Sequence, residues 1–216
     1  MKEFGIHPSE KLQKLFEQKP YQGQNPEKAS ILFLSSDANF DKNIESMPIF
    51  PKIEEYLKDG VSFWKKYSIH HPFMLPEYKG DGKKFHEKFS NFNLDKSYAD
   101  RISFIELFEK PTYGKKDDLQ LSKLFNKEHW KKLENWIFNS SQEKIVFIAT
   151  GVYNKIKISE FKTVFTELDR VKAEENQVPL QFLYKNKNLK IYAITHFSNA
   201  ISSAHLKEIE KNIKLF

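Results

Sequence analysis

The chain has 216 residues and no cysteine. A disulfide framework, a cysteine-ligated zinc and an iron–sulfur cluster are therefore excluded. No apolar run approaches the length of a membrane span. The opening MKEFGIHPSEKLQKLF turns charged too early for a secretory signal. These absences lead us to expect a cytoplasmic protein with no membrane partner. Arginine is nearly missing: of 35 basic residues only Arg101 and Arg170 are arginines. The accompanying richness in Lys, Asn, Ile and Phe is one that AT-rich coding alone can produce. Internal repeats and low-complexity segments are also lacking.

What is present suits a packed protein. Twenty Phe, nine Tyr and three Trp supply bulk for a core, and 39% hydrophobic against 30% charged residues is not a disordered composition. The length favours a single domain over residues 1–216. The net charge of +6 fits a polyanionic partner, and equally fits a solvated lysine-rich surface.

Ser9 reads as the N-cap of an opening helix to about Gln18, with Leu12, Leu15 and Phe16 as its buried stripe. KPYQGQNPEKA reads as a loop. Strand-length apolar runs follow at Ile31–Leu34, Ile102–Phe108, Ile145–Ala149 and Ile191–Ile194. The first and third are apolar at consecutive positions, which predicts burial on both faces and hence a parallel sheet covered by helices. FPKIEEYLKDGVSFWKKY and NKEHWKKLENWIF carry helical spacing between them, the latter with Asn126 as N-cap. Leu180–Tyr184, KNKN and Leu189–Ile194 predict a hairpin, and Leu206, Ile209 and Ile213 line a final helix. The expectation is an α/β fold, a three-layer α/β/α sandwich with a central, mainly parallel sheet.

Ligands of such sheets bind beyond the carboxyl ends of the strands. SSDANF follows the first strand and THFSNAISS the last, so Asp37 and His196 can converge on one crevice with Ser35, Ser36, Asn39, Thr150, Thr195 and Ser198. Taken singly, each is ordinary: Asp and Asn stop strands and cap turns, and a lone histidine is more often structural. Two titratable groups in the right topological place raise the odds of a site. The irregular stretch IHHPFMLPEYKGDGKKFH carries Lys79, Lys83 and Lys84 around GDG, suited to backbone approach to a phosphate, although KGDGK lacks P-loop spacing. His70, His71 and His86 lack metal-ligand spacing, so no metal is expected.

On these segments the chain resembles the uracil-DNA glycosylase superfamily, over roughly Ile31 to Phe216. ILFLSSDANF is similar to the family's buried strand and the loop bearing its water-binding acid. THFSNAISSAHL is similar to its His-x-Ser signature leading into a helix. ISFIELFEKPT occupies the place of the base-reading strand, and KIVFIATGVYNK that of the strand and turn between. DGVSFWKKYSIHHPFMLPEYKGDGKKFH is similar to a bacterial branch of the superfamily.

The resemblance implies a monomeric, cofactor-free enzyme that flips a damaged or deaminated base out of DNA and hydrolyses its N-glycosidic bond. Asp37 would position water and His196 would hydrogen-bond the leaving base. Phe73 would stack on the base, with Phe50 as the alternative. Ser36, Asn39, Glu106 and Ser198 would contact substrate, while Ser35, Lys79, Lys83, Lys84 and Ile201 would contact DNA, Ile201 as a wedge. Three positions depart from the family pattern. Asn39 stands where uracil-selective members have tyrosine, Glu106 where an asparagine reads uracil, and Phe197 where proline is usual. An ionised glutamate only accepts hydrogen bonds, which opens the choice of base beyond uracil. A non-catalytic nucleic-acid-binding protein and a nucleoside hydrolase remain alternatives.

Overall fold

The computed structural model describes residues 4–80, 82–114, 123–158 and 180–216. Arg170 and Asp81 of the GDG turn lie outside these.

Six strands form the main sheet: β2 (Tyr21–Gly23), β3 (Ile31–Ser35), β5 (Ile102–Glu106), β7 (Lys144–Ala149), β8 (Gln181–Lys185) and β9 (Leu189–Ile194). Their spatial order is β2-β5-β3-β7-β9-β8. The four inner strands are mutually parallel, and the edges β2 and β8 run antiparallel to their neighbours. β3, β5 and β7 are buried at every position, as the consecutive apolar residues of β3 and β7 lead one to expect. Three two-residue strands, β1 (Gly5–Ile6), β4 (Asn39–Phe40) and β6 (Thr112–Tyr113), make a small separate sheet ordered β1-β6-β4.

Side chains alternate between the faces of a strand, and each face of the main sheet has its own core. Leu32, Leu34, Val146 and Ile148 pack under α5 (Lys127–Phe138) and α6 (Thr150–Ile158), which bring Trp130, Leu133, Val152 and Ile156. Ile31, Phe33, Phe104 and Phe147 face the other way, toward Trp64 of α3 (Gly60–Tyr67), Phe89 of α4 (Lys83–Ser90) and Ile209 and Ile213 of α7 (Ser203–Leu215). A third cluster joins α1 (Glu10–Gln18) and α2 (Phe50–Lys58) to Phe40, Phe73 and Tyr78. Helices thus cover both faces of a mostly parallel sheet, an arrangement compatible with three layers.

The local signals explain most boundaries. Ser9, Asn126 and Ser202 each accept a backbone N–H of the helix that follows. FPKIEEYLKDGVSFWKKY makes two helices, because Asp59 ends α2 and accepts from the Ser62 N–H to cap α3. KPYQGQNPEKA, expected to be a loop, contains β2. Of its three residues only Tyr21 favours a strand, and pairing with β5 supplies the order. Two glycines make this possible. Gly23 adopts φ +78°, and a Cβ on Gly60 would meet the Gly23 backbone at 2.9 Å, so α3 can lie directly on the edge strand.

Lys144, at the amino end of β7, is only 1% exposed. Its Nζ donates to Pro26 O at 2.6 Å and Trp136 O at 2.8 Å. Burial pushes its pKa down to about 8. Two acceptors suit the two hydrogens of a neutral amine. Since the unfolded group titrates near 10.5, the unfolded state holds more protons between the two values, and stability rises with pH there. Wild type should gain up to about 1.4 kcal/mol per pH unit relative to Lys144→Met across that window. Denaturant midpoints at pH 7.5 to 10.5 (roughly the span of the two pKa values) measure this, and parallel curves would refute it.

Candidate functional site

The loop after β3 is fixed by backbone bonding to the segment that follows β5. Leu107 N donates to Ser35 O, Phe108 N to Ser36 O and Thr112 N to Ala38 O, at 2.9 to 3.0 Å. β4 then runs parallel to β6, pairing Asn39 with Thr112. α5 anchors the same segment from behind, through His129 Nε2 to Glu106 O and Trp130 Nε1 to Leu107 O, both 2.8 Å. Asp37 and Glu106 therefore sit on backbone that hydrogen bonds hold in place over its length.

Thr112 is fully buried and organises the polar side chains here. Its hydroxyl donates to Asp37 Oδ2 at 2.6 Å and accepts from Asn39 Nδ2 at 3.1 Å. Asn39 Nδ2 also donates to Gly114 O at 3.1 Å. Both amide hydrogens of Asn39 are thereby spent, and the atom it can offer a ligand is the acceptor Oδ1.

His196 follows β9, which is separated from β3 by β7 alone. Its Nδ1 accepts the Ser198 N–H at 3.2 Å. In the neutral ring the proton then sits on Nε2, which makes that nitrogen a donor. The Phe85 ring lies 5.4 Å from the imidazole.

These groups border a cavity of about 90 Å³, room for several waters. Ser35, Asp37, Asn39, Glu106, His196 and Ser198 all line it. Phe73, Phe85 and Phe104 supply apolar walls. Phe73 is 2% exposed, with one face stacked on Tyr78 at 4.0 Å. Half-buried Phe85 offers more open ring surface.

A larger groove shares Asp37, Asn39, Gly82, His196 and Ser198 with this cavity. Ser36, Lys83, Lys84, Thr150, Gly151 and Lys155 continue it outward. Lys83 Nζ donates to Tyr78 O at 2.7 Å. Gly82 has φ +84°, and a Cβ there would meet the Phe73 ring at 2.8 Å and Asn39 O at 3.0 Å. The glycine thus accounts for tight packing of this turn on the cavity wall.

Three expected residues lie elsewhere. Lys79 is exposed and lines neither space. Ile201 is half-buried against the core beneath α7 and also lines neither. Phe50 is enclosed in the cluster of α1 and α2.

The wall facing α4 holds an unexpected group. His71 and His86 stack at 3.6 Å with rings 6° from parallel, and His70 Nε2 lies 3.1 Å from His86 Nδ1. Burial pushes His70 down to about 3. Burial and the neighbouring histidines push His71 and His86 well below their ordinary value. All three rings are neutral near pH 7. Tyr56, edge-on to His71 at 4.6 Å, is held protonated by burial and by the negative charge of Glu106. Among the described residues no group of three His, Asp or Glu side chains is arranged to hold a metal ion.

Sequence reasoning missed Gln22, Phe85 and Thr112. A polar residue in a supposed loop, an aromatic within a lysine-rich stretch and a buried threonine carry no distinguishing local signal. Comparison of the chain with protein-family models, curated proteins and solved structures gave no match.

Proposed function

We propose that the protein is a DNA glycosylase with a fold of the uracil-DNA glycosylase type, hydrolysing the N-glycosidic bond of a flipped-out damaged or deaminated base. One observation carries this reading. Asp37 and His196, from the ends of two parallel strands, border a single small cavity that opens into a longer lysine-bearing groove. A nucleobase inside a duplex must leave the stack to be reached. A small pocket that shares its lining with an open groove suits that task better than it suits an enclosed nucleoside.

In this mechanism the base enters between Phe85 and Phe73 while its strand follows the groove past Lys83 and Lys84. Bond breaking leaves positive charge on the sugar and negative charge on the departing base. The Asp37 carboxylate, oriented by the Thr112 hydroxyl, stabilises the cationic sugar and directs water to it. His196 Nε2–H donates to the oxygen of the leaving base. A neutral imidazole, its proton placed by the Ser198 N–H, donates without needing to be charged first.

The test is incubation with oligonucleotides bearing uracil, hypoxanthine, xanthine or mismatched thymine, single- and double-stranded, followed by alkali. Abasic-site cleavage of at least one substrate is expected. Silence across the panel, with salt-dependent DNA binding retained, would replace this reading by the non-catalytic one. Cleavage of free nucleosides alone would make the protein a nucleoside hydrolase.

A further inference from the structure

Gln22 is 5% exposed and borders the inner cavity. The orientation of its amide follows from a chain of hydrogen bonds. Phe73 N donates to His71 Nδ1 at 3.1 Å, so the proton of neutral His71 lies on Nε2. That N–H, 3.1 Å from Gln22 Oε1, makes the oxygen the acceptor. The Nε2 amino group of Gln22 is therefore its other end, and it takes no acceptor among the described residues. It is also not sealed from solvent, unlike the enclosed hydroxyls of Ser36 and Tyr56. With the residue so deeply buried, the cavity it lines is where this amino group meets water.

The sheet places a complementary group beside it. Gln22 pairs with Phe104 across β2 and β5. Glu106 lies two residues further along β5 and so points to the same face. Such diagonal neighbours lie within reach of one ligand when their side chains are long. Gln22 offers donors and the Glu106 carboxyl group offers an oxygen acceptor, both from rigid strands.

We propose that Gln22 is a specificity-determining residue, donating to an oxo oxygen of the bound base while the adjacent ring N–H donates to Glu106. This deepens the glycosylase reading and rests on it for the identity of the ligand as a base. The class selected carries a lactam edge, C=O beside N–H, as in uracil, hypoxanthine and xanthine. Each polar atom of that edge finds a partner. An amino-bearing edge, as in cytosine or adenine, brings a second N–H that the pair leaves over, and an unmet buried donor is costly. His71 acts through Gln22 as a positioning residue, since its N–H keeps the amino group turned inward.

The experiment measures binding of free bases at up to millimolar concentration by ligand-observed NMR, which does not depend on turnover. Uracil and hypoxanthine are compared with cytosine and adenine, and hypoxanthine with unsubstituted purine, which lacks both the oxo group and the N1–H. Wild type should prefer the oxo bases. Gln22→Glu keeps an oxygen for His71 but removes the amino donor, and should weaken hypoxanthine by roughly tenfold, the worth of one hydrogen bond. Gln22→Met provides an uncharged second variant, in which the preference for hypoxanthine over purine should fall by roughly tenfold, the part owed to the N1–H bond to Glu106 remaining. Thermal melting confirms that both variants are folded. Equal binding by wild type and folded variants, tighter binding of cytosine or adenine, or no binding of any base would each overturn the proposal. Gln22-dependent binding without excision from any oligonucleotide would sink the glycosylase reading alone. Excision whose base preference is indifferent to Gln22→Glu would sink this inference alone.

Discussion

Asparagine in place of Asp37 is expected to slow single-turnover base release by about 10²–10⁴-fold, the range for a positioned acid–base group, with DNA affinity little changed. The substitution is nearly isosteric, and the new carbonyl can still accept the Thr112 hydroxyl that now bonds Oδ2. What disappears is negative charge beside the developing cationic sugar, together with the acceptor that aims the attacking water. Both act in the transition state, so the loss belongs in the chemical step and not in association. Quench experiments with enzyme in excess over a labelled oligonucleotide isolate that step. Equal rates for wild type and Asp37→Asn would remove Asp37 from its proposed role, whichever base is used.

The second large effect is on stability in acid. His70, His71 and His86 are buried and neutral, with folded pKa values below the ordinary 6.5, that of His70 at about 3. As pH falls through 6.5 the unfolded chain takes up protons that the folded chain refuses. Stability is therefore fully present above that pH and is lost below it. One such group contributes at most about 1.4 kcal/mol per pH unit, and three together about 4. A domain stable by about 5–15 kcal/mol cannot sustain that slope for long. We expect the urea midpoint to hold near neutrality and to drop steeply below about pH 6. The His70→Phe variant, its ring set among Trp64, Phe89 and Phe104, should show the slope reduced by about a third. A profile flat to about pH 4.5, more than a unit below the unfolded value, would refute the account.

Much of this arrangement was legible in the sequence because it rests on patterns that a short window contains. Consecutive apolar residues marked β3 and β7 as interior parallel strands, and Ser9, Asn126 and Ser202 marked helix starts. The carboxyl ends of parallel strands lie at one edge of the sheet, which brings Asp37 and His196 toward a common place. The resemblance to glycosylases also pointed to Phe73, Glu106 and Ser198, and all three border the cavity. What stayed hidden depends on partners distant in sequence. Tyr21–Gly23 is a strand because β5 lies some 80 residues on and leaves an edge to fill. Thr112 matters because β4 and β6 pair across more than 70 residues. The three histidines lack metal-ligand spacing and carried no other signal until packing turned two of their rings face to face. Ile201 and Lys79 line neither the cavity nor the groove, since position in a motif does not say which way a side chain turns.

The order of the strands has a last consequence. β3 and β9 are not neighbours: β7 runs between them. Adjacent strands are spaced about 4.8 Å apart, so the backbones that deliver Asp37 and His196 stand roughly 10 Å from each other. Backbone hydrogen bonding sets this gauge, and no side chain can adjust it. Substitutions along the rim can change what fits between the jaws, but the span of the jaws changes only with the sheet itself. Variation in such a scaffold is channelled toward the identity of the thing held, while the geometry of the act performed on it stays constant.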